Sequence, residues 1–483
     1  MNILIQCGDH LENQNRIMTL ALELKEAGHS PTILLYSNLK GRYFENKGIN
    51  TISLEAHAFQ DTPAKEITID SFLEDGIKYN DVMVAEARRR PIVGWPGQRV
   101  KTIRDIHRIH KTLSHIISTQ NPEKIIIWNG FTGYVANILR LVCEHRKIEC
   151  AFLERGLLKG SLFIDRLGVN GASSLNQLTP TSVDNYLLSS EETTFVKQLF
   201  NIGSQAIEKA EPKKNLNIFF PLQVQLDTNI ILYCKYRSMR ETFLDIYSAL
   251  NTADSSFLIR PHPEETAETL INIPRFDNVK VSSEKSLDHW LDWSDLVVTI
   301  NSTVGLEALI KGKQVISLGQ SIYSSAGLTS ALNTKKLPGA VNHQRLINYL
   351  GILVKSNLLL PDGPYNKSVV SEQLSISPDS VSTTDKQQNS GAVKPKAETA
   401  EVHLAFPLNA TLDLTYRKNK APITKDWLTE IAKKHIDAKQ YEFSTSRKPN
   451  KDRYSIKIVN EGKSAKADYK FNKTIDIYGN EVR

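Results

Sequence analysis

Phe220-Pro221-Leu222-Gln223-Val224-Gln225-Leu226-Asp227 reads as an apolar strand that ends in amides and a carboxylate. Farther along, Arg260-Pro261-His262-Pro263 closes another strand with a histidine fixed between two prolines. Thr299-Ile300-Asn301-Ser302-Thr303-Val304-Gly305 ends a third strand in small hydroxyl residues and opens a helix. Three strand ends carrying a carboxylate, an imidazole and hydroxyls predict one cleft at the C-terminal edge of a parallel sheet, the edge where open α/β sheets bind ligands.

The alternation continues outward from these stretches. Strands are expected at about 216–220, 256–260, 278–282, 296–300 and 314–318, with helices starting near Ser238, Glu264, Ser286 and Thr303. Ser238 followed by Glu241 resembles a capping box. Toward the N-terminus, residues 2–7, Pro31–Tyr36, Lys124–Trp128 and Cys150–Leu153 read as strands, and Arg16–Ala27 as a helix ended by Gly28-His29. Strand–helix–strand units of this kind build parallel sheets. Two such series, joined near 185–212, predict an α/β protein with two facing Rossmann-like domains, residues 1–190 and 191–360. The segment from about 60 to 100, with Arg88-Arg89-Arg90-Pro91 and Gly94-Trp95-Pro96-Gly97, breaks the alternation and reads as an insertion or flap near the cleft.

After Pro361-Asp362-Gly363-Pro364 the chain turns rich in Ser, Thr, Asp, Gln and Lys, which predicts a linker over 361–400. Residues 401–483 read as a small basic α+β module, with a helical run from Thr424 to His435 and strands at Tyr454–Val459 and Ala467–Phe471 around an Asn460-Glu461-Gly462 turn.

Composition narrows the function classes. A chain of 483 residues exceeds one ordinary core, which favours two large domains with an appendage. No apolar run approaches about 18 residues, so no membrane-spanning helix is expected. Met1-Asn2-Ile3-Leu4-Ile5-Gln6-Cys7 reads as a buried first strand rather than a signal peptide. The four cysteines form no CxxC pair, which favours reduced thiols in a cytoplasmic protein over disulfides or a zinc site. The net charge of +7 is concentrated at the end: residues 401–483 hold 17 Lys+Arg against 11 Asp+Glu, a surplus of six. The body is therefore near neutral, which argues against nucleic acid as its partner. The sequence lacks GxxxxGK[ST], HExxH and GxSxG, leaving P-loop, zinc-protease and α/β-hydrolase readings without support.

An ordered set of motifs carries a resemblance. Phe152-Leu153-Glu154-Arg155-Gly156, Gly168-Val169-Asn170, Gln223–Asp227, His262-Pro263, Thr299–Gly305 and Gly327-Leu328-Thr329 occur in that order. Over residues of about 1–350 the chain resembles the bacterial capsule-polysaccharide synthesis family of retaining β-Kdo glycosyltransferases, which use CMP-Kdo. Many members of that family carry two acidic residues before the glycine, where this chain has Glu154-Arg155. The resemblance implies a GT-B-like fold, an acceptor-side first domain and a CMP-sugar-binding second domain. It also implies transfer of Kdo to a glycan or glycolipid acceptor by a cytoplasmic protein, either soluble or peripheral on the inner face of the cytoplasmic membrane.

In that frame Asp227 is the candidate nucleophile, since a carboxylate at a strand end can attack an anomeric carbon. An Asx turn or a helix cap through Thr228-Asn229 is the competing reading. Glu154, on the other domain, is the candidate general base for the acceptor hydroxyl, with a salt bridge to Arg155 as its competitor. His262 is placed on the leaving phosphate, against a helix cap or a core histidine. Asn301, Ser302 and Thr303 stand where a helix N-terminus favours phosphate, although an ordinary Ser/Thr cap explains the same residues. Gly305 is expected to permit close approach of ligand or backbone, and Glu307 to accept ribose hydroxyls. Gln223 and Gln225 are candidates for donor hydroxyls, and Lys235, Arg237 and Arg260 for the donor carboxylate. Without an Asp-x-Asp motif, no metal or other cofactor is expected. A CDP-alcohol or UDP-sugar donor, or a non-catalytic glycan-binding scaffold, are the alternative readings. The basic module 401–483 is expected to be either a solvated surface or a contact with anionic lipid or a pathway enzyme.

Overall fold

The computed structural model describes residues 1–7, 11–37, 41–58, 73, 76–83, 96–203, 216–224, 227–236, 238–263, 273–274, 276–332, 337, 339–375, 411–415, 440–448, 451–459 and 470–472. Gly8-Asp9-His10, most of the expected flap, Gln225, Arg237, the Glu264 helix start and the Thr424–His435 run lie outside them. The chain divides into two compact units, Met1–Thr384 and Asp385–Arg483.

The first unit begins with β1 (Asn2–Gln6), α1 (Leu11–Glu26), β2 (Ser30–Leu35), α2 (Arg42–Glu45), β3 (Asn50–Ser53), α3 (Pro96–Gln120), β4 (Lys124–Trp128), α4 (Tyr134–Arg146), β5 (Glu149–Arg155) and β6 (Leu162–Asp165). Helices α5 (Pro180–Asp184) and α6 (Ser190–Leu199) lead to a second series. It contains β7 (Leu216–Pro221), α7 (Thr228–Tyr233), α8 (Met239–Leu250), β8 (Ser255–Arg260), β9 (Val279–Val281), α9 (Leu287–Trp293), β10 (Leu296–Thr299), α10 (Thr303–Ile310) and β11 (Gln314–Ser317). Then come α11 (His343–Ser356), β12 (Leu358–Leu359) and α12 (Asn366–Gln373).

The first sheet has the order β12-β6-β5-β4-β1-β2-β3. Its β1–β5 core is parallel, whereas β6 and β12 add antiparallel at one edge. Ile125, Ile126 and Ile127 of β4 are fully buried, as a strand covered on both faces requires. Helix α1 packs Ile17, Leu20, Ala21 and Leu24 on the sheet. It stops at Gly28, whose φ of 78° lets the His29 N–H reach back to the Leu24 carbonyl. The second sheet, β11-β10-β7-β8-β9, is parallel throughout. Its five strands match the expected ones to within two residues. Ser238, Ser286 and Ser302 each accept a backbone N–H at a helix start. The result is two Rossmann-like lobes around a central cleft, the GT-B-like arrangement.

In each sheet the chain runs outward from one strand and then returns to that strand's other side. This places a topological switch between β1 and β4 in the first sheet and between β7 and β10 in the second. Ligand crevices form outside the carboxyl ends of the strands at such switches.

The domain end at 360 and, over its described residues 361–375, the expected linker at 361–400 need correction. β12 leaves the second series and pairs with β6 of the first sheet. Residues 366–373 form α12, which buries Val369 and Val370 against the first lobe. Its polar residues are anchors rather than linker spacers. Asn366 bonds both the N–H (3.0 Å) and the carbonyl (2.7 Å) of Leu360. Gln373 accepts from the Arg166 N–H (2.8 Å) and donates to the Ser356 carbonyl (2.8 Å).

In the second unit the described residues form a four-stranded sheet of β13 (Thr411–Thr415), β14 (Gln440–Lys448), β15 (Lys451–Val459) and β16 (Lys470–Asn472), in the order β14-β15-β13-β16. The expected strand Tyr454–Val459 lies within β15, which forms a hairpin with the preceding β14. Of the expected Ala467–Phe471 strand only Lys470 and Phe471 fall among the described residues, in β16, which pairs in parallel with β13.

Candidate active site

Both switch points open on one cleft of about 580 Å³. Glu154 and Arg155 line it from β5, Asn13 from the first turn of α1, and Trp128 and Asn129 from the end of β4. The second lobe supplies Gln223, Asp227, Thr228 and Asn229 after β7, His262 after β8, and Asn301, Ser302 and Thr303 after β10. The distant segments of the three opening stretches and the Glu154 strand therefore meet in one place.

The two lobes touch through hydroxyls and an amide. Asn129 takes the left-handed conformation, φ 61°, which favours Asn among residues with a side chain. Its Oδ1 accepts from the Phe131 and Thr132 N–H groups at 3.1 and 3.3 Å. Its Nδ2 donates to Glu154 at 3.2 Å and lies 3.5 Å from Thr228 Oγ1. Thr132 and Thr228 hydroxyls bond at 2.6 Å across the lobes.

Glu154 also accepts the Arg155 N–H at 2.9 Å. Burial pushes its carboxyl above the usual range, and the Asp227 charge adds to the shift. Hydrogen bonds from the Arg155 N–H and Asn129, and then the Arg155 charge, offset part of it. The Arg155 contact that holds Glu154 is thus its backbone N–H rather than the salt bridge of the competing reading. Asp227 caps α7: Oδ1 accepts the Asn229 N–H at 2.7 Å, while the residue remains exposed to the cleft. The capping reading of Asp227 is therefore present, and the cap fixes the carboxylate on the cleft wall.

Behind these groups lies a closed amide cluster at the β7–β10 switch. Gln223, buried, donates to Asn301 Oδ1 at 3.0 Å and accepts the Asn301 N–H at 3.1 Å. Asn301 in turn donates to the Asn229 carbonyl at 2.9 Å. Gln223 and Asn301 spend these groups on each other, tying β7 to β10 and Asn301 to the helix that Asp227 caps. Ser302 accepts the Val304 N–H at 3.3 Å and leaves the first turn of α10 facing the cleft.

Four of the expected site residues stand elsewhere. Gly305 is buried beneath Tyr323: a Cβ there would lie 2.2 Å from the Tyr323 hydroxyl, which bonds the Ser302 carbonyl. The close approach it permits is thus that of a side chain of the protein itself. Glu307 lines a neighbouring cavity of about 590 Å³ that shares Leu157 with the cleft. Burial raises its carboxyl, the Asp288 charge adds, and Lys311 opposes. Lys235 points to solvent after α7, 3.5 Å from Asp245 of α8. Arg260 ends β8 outside the cleft lining, held by its carbonyl to the Leu222 N–H at 2.9 Å. Gln225 lies outside the described residues.

Sequence reading did not single out Asp165. It is fully buried at the end of β6 and accepts from Leu167, Gly168, Ser173, Ser174 and Asn357. These bonds hold the loop that carries Gly168-Val169-Asn170 and brings Gly171 against the Tyr233 ring of the other lobe. Its signal in the sequence is a carboxylate ending an apolar Leu162-Phe163-Ile164 strand just before a Gly- and Ser-rich loop. Asn13 was likewise unmarked, because an Asn in an amphipathic helix ordinarily faces solvent.

Among the described residues no helix is long and apolar enough to cross a membrane, and no group of three or more His, Cys, Asp or Glu is placed to hold a metal ion.

Residues 196–345 match the family described as capsule polysaccharide biosynthesis protein. The chain is 28% identical over 212 residues to Protein FixF of Sinorhizobium fredii, covering 41% of this chain and 49% of that protein. It is 28% identical over 139 residues to the lipopolysaccharide-processing protein LpsZ of Rhizobium meliloti, covering 27% and 31%. It thus spans about half the length of the first of these relatives and about a third of the second. Among solved structures, Thermosulfurimonas dismutans KpsC, beta Kdo 2,7 transferase, is similar at 17% identity and a TM-score of 0.36, over 50% of this chain and 80% of that one. The similarity to the capsule polysaccharide biosynthesis family is confined to residues 196–345, which hold most of the second lobe.

Proposed function

We propose that the protein is a retaining glycosyltransferase that moves Kdo from CMP-β-Kdo to a hydroxyl of a surface-polysaccharide precursor. The observation that carries the reading is the pairing of Glu154 and Asp227, one carboxylate from each lobe, on a single cleft. Retention by two displacements requires this division between a nucleophile and an acid/base.

In the first displacement an Asp227 oxygen bonds to the anomeric carbon while the bond from that carbon to the phosphate oxygen breaks, and the electron pair leaves with CMP. His262 and the first turn of α10 face the phosphate as it gains charge. In the second, the acceptor oxygen bonds to the same carbon, its proton passes to Glu154, and the Asp227–carbon bond breaks to restore the carboxylate. A raised carboxyl makes Glu154 a stronger base than an ordinary glutamate once it is ionised. Glu307, one turn along α10 from the phosphate position, faces the adjoining cavity, where ribose hydroxyls would reach it. The donor is a cytoplasmic nucleotide sugar, so the reaction is assigned to the inner face of the membrane, with residues 401–483 as the contact to anionic lipid. Deletion after about residue 395 tests that contact: liposome binding should fall at low salt, and unchanged binding refutes it.

The donor is tested by measuring acceptor-dependent nucleotide release from CMP-Kdo, CDP-glycerol and a UDP-sugar. Release from CMP-Kdo alone supports the proposal. Release from either of the others, or from none, overturns it.

A further inference from the structure

Asn13 lies in the first turn of α1, beside the β1–β4 switch point, and is only 4% exposed. Its Oδ1 has no hydrogen-bond partner among the described residues, yet Asn13 lines the cleft. A buried carbonyl left unmatched is destabilising, because it gives up water without gaining a partner. Trp128 stands across the same switch, at the end of β4, with its backbone N–H donating to Gln6 Oε1 of β1 at 3.0 Å. That bond sets the two strand ends side by side and leaves the half-buried indole residue on the cleft lining. A half-buried tryptophan and an unsatisfied acceptor that line one cleft, on the lobe that carries Glu154, suit a ligand with an apolar ring face and outward hydroxyls.

We infer that Asn13 and Trp128 form the acceptor-sugar subsite, with a sugar hydroxyl donating to Asn13 Oδ1 and the sugar ring lying against Trp128. The assignment deepens the glycosyltransferase reading and rests on it for the word acceptor. The opposite lobe explains the choice of ligand. There the switch-point amides of Gln223 and Asn301 are mutually bonded, and His262 and Ser302 face the phosphate position. The donor is accommodated on that side, so an unmatched carbonyl in the first lobe belongs to the other substrate. The chemical class is a neutral or acidic hexopyranoside, recognised by hydroxyl and ring rather than by charge.

The test is saturation-transfer NMR on the full chain with methyl α-D-glucopyranoside, methyl α-D-glucuronide and methyl α-L-rhamnopyranoside at millimolar concentration. At least one glycoside should bind the wild type, and Asn13→Leu and Trp128→Ala should each weaken that binding about tenfold. Asn13→Asp, which keeps an acceptor oxygen, should bind within about threefold of the wild type. Asn13→Leu should also melt no lower than the wild type, because it removes an unmatched carbonyl. A lower melting temperature would assign Asn13 a structural role and overturn the inference. Failure of all three glycosides to bind, or equal binding by Asn13→Leu, would overturn it as well. The donor assay on the same preparations separates the two claims: saccharide binding that depends on Asn13, without nucleotide release from CMP-Kdo, sinks the donor reading alone.

Discussion

The two faces of the cleft are built differently. On the second lobe most of the named polar groups of the cleft are matched to one another: Gln223 with Asn301, Asn301 with the Asn229 carbonyl, Asp227 with the Asn229 N–H, and Ser302 with the Val304 N–H, while the buried Ser321 Oγ is left unmatched. On the first lobe the desolvated carboxyl of Glu154 and the unmatched carbonyl of Asn13 both line the cleft at a cost. A fixed network holds its geometry without ligand, as stabilisation of a leaving phosphate requires. Groups held away from water without a full set of partners gain most when a substrate supplies the missing contact.

The largest effect expected on this comparison is at Asp227. Asp227→Ala should lower transfer from CMP-Kdo by about 10⁴-fold or more, measured as nucleotide release. Retained turnover would remove the nucleophile from the account.

Glu154→Gln comes next, with a loss of about 10²–10⁴-fold in transfer. It also tests the cost assigned to the first lobe. Because the folded-state pKa of Glu154 is raised, the folded protein holds that proton more tightly than the unfolded chain. Its contribution to stability is complete below the unfolded value of about 4.3 and is lost as pH rises through the folded value. The Gln variant should therefore melt above the wild type at pH 7–8 and nearly level with it at pH 4. For the same reason the acidic limb of the wild-type rate profile should lie above the range of an ordinary carboxylate. A variant that melts lower at pH 7–8 would contradict the desolvation argument.

Gln223→Ala should have a smaller effect on transfer than either carboxylate variant, and it is read most directly as a loss of stability. It leaves the buried Asn301 amide short of partners and should cost about 1–3 kcal/mol in urea unfolding. Smallest of all, Thr228→Val removes the hydroxyl that bridges Thr132 and Asn129 across the lobes, a change of about 0.5–1.5 kcal/mol by the same measurement. A loss larger than that of Gln223→Ala would mean that the bridge between lobes, rather than the amide cluster, organises the cleft.

The second lobe was the more legible in sequence, for a physical reason. Its strands β8 and β10 are buried over Phe257–Ile259 and Leu296–Thr299, so these stand out as short, mainly apolar runs, and Ser238, Ser286 and Ser302 mark helix starts. Features set by distant contacts were not legible. The two-residue strand Leu358–Leu359 is defined only by its pairing with β6. Helix α12 owes its stability to burial of Val369 and Val370 and to anchoring amides, so its polar composition read as a linker. The same holds within the site. Residue types at strand ends pointed to Glu154, Asp227, His262 and Ser302, and these converge. Lys235 and Arg260, chosen for charge and nearness in sequence, lie off the cleft, because nearness along the chain does not fix the direction of a side chain. Asn13 becomes informative only when its burial and missing partner are both known.

The most direct test of the account is intact-mass and peptide mapping of the Glu154→Gln protein after incubation with CMP-Kdo. Without a base to complete the second displacement, a Kdo adduct should accumulate on the peptide containing Asp227, with one equivalent of CMP released. Release of CMP with no adduct, or an adduct on another residue, would contradict the assignment of the two carboxylates.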